Sequence, residues 1–436
     1  MLIRNKRTLI AGVLTLGIGA LTAWPGSLAG AAATGTASMP GPAASWPGCR
    51  YVSHGSLRPS ALCFRGNATA NPNTGGTLVG VSADSPSDAW AVGNYSTPAV
   101  PYGAFLAHWN GTGWTKSPSP DPGAADGTSL LGVSAVSRTD AWAVGSYTVT
   151  GHSDLPLILR WNGTRWHQVP SPVPAGGADL YAVSAISPCD AWAVGIYDSG
   201  KVKPFIVHWN GTRWTQLPAP SPGIGAILNA VSVRSATDAW AVGYYAVGAA
   251  GRLRSLALHW NGTSWTRVFS PNPPTATGDV GLLGVSTISP DDAWATGYAA
   301  SGENASSLLL RWNGARWARV AIPNPPPTPA GYHEATVLSA VSAASPADVM
   351  VTGWYVLIDK AFDTYFTAFT LRWNGQSWTR LPSPLPNANV QLYGTSVVSA
   401  NDSWTVGEAT GETSGGTQTL SLRWNGTHWV EEPSPY

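Results

Sequence analysis

From Leu78 onward, apolar and polar positions alternate in short runs of four to eight residues, broken every few residues by Ser, Pro, Asp or Asn-Gly. That period of two predicts half-buried β-strands rather than helices. The runs recur as a group of four. The first group reads Leu78-Val-Gly-Val-Ser-Ala, then Asp88-Ala-Trp-Ala-Val-Gly, then Phe105-Leu-Ala-His-Trp109-Asn-Gly-Thr, then Trp114-Thr before Ser117-Pro-Ser-Pro. Six more copies follow, anchored on Asp140, Asp190, Asp238, Asp292, Asp348 and Asp402, at a spacing of about 52 residues. A repeat of this length, with four strands in each copy, is the pattern of a β-propeller.

The expected fold is therefore all-β: a seven-bladed β-propeller of four-stranded antiparallel blades, with approximate blades at 77–121, 128–174, 179–222, 227–274, 281–326, 336–386 and 391–436. Asn-Gly is expected at the two centre positions of a hairpin turn, and proline closes each fourth strand because it cannot donate to a ladder. The third residue of every first strand is small (Gly80, Gly132, Ala182, Ala230, Gly284, Ala340, Gly394), as crowding at a propeller axis demands. The tryptophans recur as three rows on strands, which assigns them to the faces between blades.

Ahead of the repeats, Arg4, Lys6 and Arg7 precede an apolar run from Leu9 to about Leu21, and small residues follow at Ala29, Ala31 and Ala33. This is the pattern of a secretory signal peptide over 1–33, too short for a comfortable membrane span. It predicts a secreted, extracellular protein, with 34–76 as an N-terminal segment. Export permits a disulfide between Cys49 and Cys63, worth roughly 3 kcal/mol in the chain-entropy model. Cys189 is left over in a Ser/Pro/Asp turn.

Composition narrows the function. Charged residues make up 11% of the 436 and the net charge is +1, so no positive field points to nucleic acid. The 23 tryptophans and the abundance of Gly and Pro suit a turn-dense fold.

The Asp-Ala-Trp-Ala-Val-Gly and Trp-Asn-Gly-Thr-x-Trp motifs, which cover about Thr77 to Pro435, resemble those of secreted bacterial β-propeller repeat proteins, and more distantly those of Asp-box and kelch-type propellers. Departures limit the likeness: Trp109 stands where an Asp-box has its Asp, and the kelch Gly-Gly pair is missing. The resemblance implies the fold and leaves activity open, since propellers serve as lectins, hydrolases, lyases and scaffolds.

The turns at one end of the units are nearly identical from copy to copy, whereas the second-to-third strand connections and the links between units vary. That variable face is the expected binding surface. Two residues past the second-strand glycine stand Tyr95, Tyr147, Tyr197, Tyr245 and Tyr355, which either stack on a ligand or seal the blade ends. The sixth unit carries the longest insertions and gathers Tyr332, His333, Glu334, Trp354, Asp359, Asp363 and Tyr365. The seven repeat aspartates are expected to bond turn backbone, and His108, His208 and His259 to lie on an exposed strand face. No spacing selects a catalytic carboxylate pair, a metal ligand set or a cofactor loop, so no cofactor is expected.

These features predict a monomeric, non-enzymatic propeller that binds an extracellular glycan or protein. A carbohydrate-active hydrolase or lyase with channel-mouth carboxylates and a structural repeat scaffold are the alternatives.

Overall fold

The computed structural model describes residues 75–435, apart from 98–99, 101, 124–126, 151–152, 303, 326–332, 359–363, 384, 386–387 and 411–416. The signal peptide, the N-terminal segment with Cys49 and Cys63, and Tyr332, Asp359 and Asp363 lie outside the described residues.

The first repeat shows how each unit is built. Strand β1 (Gly75–Ser85) pairs antiparallel with β2 (Asp88–Ser96), β2 with β3 (Gly103–Trp109), and β3 with β4 (Trp114–Lys116). A register shift between Leu78 and Gly80 leaves Val79 unpaired, and the same bulge recurs in the first strand of every unit. The first strands pack side by side around a closed cycle that returns from the seventh repeat to the first, so the repeats form a β-propeller.

The expectation of seven separate four-stranded blades is corrected by the hydrogen bonding. The strands form six sheets, five of four strands and one of eight, because the fifth and sixth units share a sheet. The link is a parallel bridge between Ala305 and Ala335, both buried. Its physical cause is the insertion in the sixth unit. The first and second strands of that unit grow to 13 and 11 residues, and the added length carries Ala335 alongside the third strand of the fifth unit.

The axis is closed by small residues and by serines. A Cβ on Gly394 would stand 2.9 Å from the Val79 carbonyl, so the seventh unit can meet the first only through glycine there. Two residues further along, the serine of each first strand accepts the backbone N–H of the next unit. Ser82 bonds Ala135, and so on round to Ser396, which bonds Ala83 at 3.1 Å. Among the described residues the ring therefore closes without exchanging a strand.

Tryptophans fill the seams. Trp90 of the first unit meets Trp161 and Trp166 of the second, and Trp404 of the last meets Trp109 and Trp114 of the first. The Trp109 indole also donates to the Pro86 carbonyl, fastening β3 to the β1–β2 turn, and five later repeats make the same bond.

The Asn-Gly expectation needs correction in detail. Trp109 pairs directly with Trp114, so the connection holds four residues rather than two. Asn110 Oδ1 accepts from the backbone of Thr112 and Gly113 and from the Thr112 hydroxyl, and Gly111 takes a φ of 95°. The Asn-Gly-Thr letters follow from this side-chain-capped turn.

Candidate functional site

The two ends of the propeller differ in kind. At the end with strict turns, each repeat aspartate pairs with a histidine or arginine from the third strand of its own unit. Asp88 pairs with His108 at 2.5 Å, Asp190 with His208 at 2.9 Å and Asp238 with His259 at 2.8 Å. Asp140, Asp292, Asp348 and Asp402 take Arg160, Arg311, Arg372 and Arg423. In six units that side chain lies against the second-strand Trp, as His108 does on Trp90 at 4.4 Å and Arg160 on Trp142 at 4.7 Å. The expected turn-backbone role for the aspartates and the exposed face for the histidines are thus replaced by a half-buried Asp–His or Asp–Arg pair, stacked on an indole in six of the units. The signal was present in the sequence: the residue before every Trp-Asn-Gly is His or Arg.

Three of the four arginine copies reach further than the histidines, to a carbonyl of the next unit. Arg160 donates to the Pro188 carbonyl of the next unit at 2.9 Å, and Arg423 donates to Pro86 across the closing seam at 3.1 Å. This end is therefore committed to holding the units together.

The opposite end gathers the variable loops, since the unit links hydrogen-bond to the second-to-third strand connections, as Thr128 does to Tyr102 and Ala178 to Asp154. Most acids on this face are occupied in tying loops. Asp121 accepts from Thr128, Asp154 from Thr148, Asp198 from the Gly200 N–H and Asp279 from the Leu253 N–H.

Near the axis the repeat breaks down. The position after the second-strand glycine reads Asn94, Ser146, Ile196, Tyr244, Tyr298, Trp354 and Glu408. The unpaired bulge positions Val79, Leu131, Tyr181 and Tyr393 pack together with Ile196 and fill the centre. Gly281 makes room for two rings, since a Cβ there would meet Tyr298 at 3.0 Å and Tyr244 at 3.3 Å.

Two carboxyl groups at this mouth are perturbed. Asp179, half-buried, is pushed up to about 6, chiefly by burial, with Asp154 adding to the rise and a Ser146 hydrogen bond opposing it. Glu408 is also raised by burial, although hydrogen bonds from Thr77 at 2.5 Å and Tyr393 at 3.0 Å favour its charge. The buried phenols Tyr181, Tyr244 and Tyr298 are raised, first by burial and then by neighbouring groups that include Asp179 and Asp279.

The raised Asp179 carries a pH prediction. Folding favours its protonated form, so its stabilising share is fully present below about pH 3.8 and is lost as pH rises through about 6. Asp179→Asn is expected to raise stability at pH 7.5 by about 2 kcal/mol, allowing for partial exposure, and to add nothing at pH 3.5. Urea unfolding at both pH values measures it, and an equal effect at the two removes the assignment.

The tyrosine row proves half-buried at the seams. Tyr95, Tyr197 and Tyr355 stand edge-on to Phe105, Phe205 and Phe369. Tyr147 packs with the cluster between the first two units, and Tyr245 lies under Arg267. Trp354 is fully buried against Phe366. Glu334 is half-buried, Tyr365 is exposed, and His333 begins the long first strand of the sixth unit. Nothing in the spacing of the sequence singles out Asp179 or Glu408. Tyr181, Tyr244, Tyr298 and Tyr393 were missed because they occupy positions that read as ordinary strand core. Cys189 is exposed, and no metal-binding group of three side chains occurs among the described residues.

No family model matches the chain, and no curated protein does. Solved structures match in fold. The Ulvanlyase of polysaccharide lyase family PL25, bound to -[GlcA(1-4)Rha3S]-, aligns with a TM-score of 0.50 at 10% identity, over 82% of this chain and 96% of that chain. YCF48 bound to D1 peptide aligns at 0.48 with 15% identity, over 77% and 91%. The six-bladed fungal lectin from Aleuria aurantia aligns at 0.38 with 12% identity, over 81% and 95%. Together with the closed ring of repeats, the first likeness defines the class as a β-propeller. Identities this low carry the fold and not the activity.

Proposed function

We propose that this chain is a secreted binding propeller whose variable-loop end takes an extracellular glycan or protein. The carrying observation is the contrast between the ends. One repeats the same arrangement of Asp, His or Arg, and Trp in nearly every unit, while the other places a polar and aromatic mixture at equivalent positions around the axis. A scaffold alone has no use for that asymmetry, whereas a binding face does. Secretion rests on the basic and apolar start of the chain.

A hydrolase or lyase is the second reading. It is favoured by one observation, the raised carboxyl of Asp179 with the buried phenol of Tyr181 nearby.

Retention of the full chain on a panel of immobilised polysaccharides and extracellular proteins is the test. Binding is expected, with at least about a tenfold loss for a variant carrying Asp179→Ala and Tyr245→Ala. Retention on nothing would sink the proposal. Polysaccharide turnover abolished by Asp179→Asn would move the protein to the second reading.

A further inference from the structure

On the outer rim of the variable-loop end, among the described residues, a cation covers the row tyrosine in the first and fourth units and none covers it in the second, third and sixth, although Arg380 of the sixth stands at the matching position. In the first unit the Tyr95 and Phe105 rings stand edge-on at 6.5 Å, and Lys116, the last residue of β4, lays its ammonium 4.5 Å from the Tyr95 centroid and 5.7 Å from that of Phe105. In the fourth unit Arg267 takes the same place, 4.4 Å over Tyr245, and donates to its hydroxyl at 2.6 Å. The third unit has the same aromatic pair, Tyr197 and Phe205 at 6.0 Å, but the residue at the matching position is Gln216. Among the described residues no cation stands over the Tyr197 ring. An open recess of about 390 Å³ lies there instead, walled by Leu217 and Pro218 and edged by Lys203, Gln216 and Ser221. That volume falls within the range of ligand pockets.

We propose that the Tyr197 recess is a receptor for a lysine or arginine side chain of a partner polypeptide, seated where Lys116 and Arg267 sit in the first and fourth units. The chain itself demonstrates the chemistry twice, since a cation over this ring face is held in both of those copies by attraction to the aromatic quadrupole. Lys203, which pairs with Tyr197 across the strands, does not forbid it. Arg254 occupies the same register opposite Tyr245 with its guanidinium held by the Leu253 and Gly278 carbonyls, and Arg267 still covers that ring, so an incoming cation needs only that Lys203 turn aside in the same way. The walls supply apolar contact for an aliphatic stem, while the Tyr197 hydroxyl and the Gln216 carbonyl oxygen offer acceptors to the charged head. This inference rests on the reading of the variable-loop end as a binding surface and specifies one contact on it.

The test is a ligand-observed NMR titration of the full chain with three blocked tripeptides carrying a central arginine, lysine or glutamine, and with cellotriose. The arginine and lysine peptides are expected to bind roughly 3- to 30-fold more tightly than the glutamine peptide. Gln216→Lys fills the recess from within, as the first unit already does, and is expected to abolish that preference without lowering the unfolding midpoint. Tyr197→Leu should abolish it too. An unchanged preference in Gln216→Lys, equal binding of the glutamine peptide, a response to cellotriose alone, or no response at all would each overturn the proposal. Retention on the wider panel that persists unchanged in Gln216→Lys overturns the recess while leaving the binding surface in place. If the panel retains nothing, the peptide titration still decides the recess by itself.

Discussion

Replacing Trp404 by alanine is expected to lower stability by about 3–5 kcal/mol and to render the ring sensitive to proteases at its ends. The indole is fully buried and fills the seam between the last repeat and the first, 4.9 Å from Trp109 and 5.1 Å from Trp114. No strand among the described residues crosses that seam. What holds it is the Trp cluster, the Ser396 bond to Ala83, the Arg423 bond to Pro86 and the Thr77 bond to Glu408. Trp192 gives the internal comparison, because it packs on Trp260 and Trp265 at 4.9 and 5.3 Å across a seam that the chain itself spans. Trp192→Ala removes similar contacts, yet the two units it separates remain tethered by a short link, which limits the entropy released when the seam opens. Trp404→Ala should therefore show the larger drop in chemical denaturation and faster limited proteolysis. Equal effects from the two variants would mean that ring closure resides elsewhere.

How far these contacts were legible in the sequence depends on whether a residue acts inside its own unit or between units. The strands, the tryptophan rows and the small axial residues are properties of one repeat read seven times, and alternation was enough to find them. The serine ring was invisible because Ser82 bonds Ala135, a residue 53 positions away, and no local pattern announces such a bond. The shared sheet of the fifth and sixth units was missed for a similar reason. The long insertion was plain to see, but the consequence of lengthening two strands appears only when Ala335 comes alongside Ala305. The four-residue Asn-Gly connection was misread because the dipeptide signals a two-residue hairpin, whereas here Asn110 acts through its side chain.

The candidate site shows the same limit more sharply. Loop variability correctly singled out one end of the molecule as different. Which side chains meet there depends on the bulge in each first strand, which turns Tyr181 and Tyr393 toward the axis. No spacing in the sequence selected a catalytic carboxylate pair. The structure refines that point, because Asp121, Asp154, Asp198 and Asp279 each have a loop-tying bond and, among the described residues, only Asp179 and Glu408 combine at least partial burial with a place near the axis.

The repeat aspartates carry the second large effect. Asp402→Ala is expected to cost about 2–4 kcal/mol, because it strands a guanidinium built to be paired. Arg423 donates to both Asp402 oxygens, at 2.8 and 2.7 Å, while stacking 5.2 Å over Trp404 and bonding Pro86 of the first repeat. A guanidinium cannot shed its proton, so without Asp402 the charge stays in a half-buried seam and pulls Arg423 toward solvent, off both Trp404 and Pro86. Asp88→Ala makes the converse case. Its partner is His108, and an imidazole can become neutral and remain stacked on Trp90 as an aromatic. The aspartate paired with arginine should therefore be worth more than the one paired with histidine, although Asp88 is the more deeply buried of the two. Guanidinium-chloride unfolding of both single variants, with Arg423→Met and the Asp402→Ala, Arg423→Met double variant completing a cycle, reads the coupling directly. If Asp88→Ala costs as much as Asp402→Ala, or the cycle returns no coupling, the Asp, cation and Trp stack is packing alone and the ion pair contributes nothing to the seam.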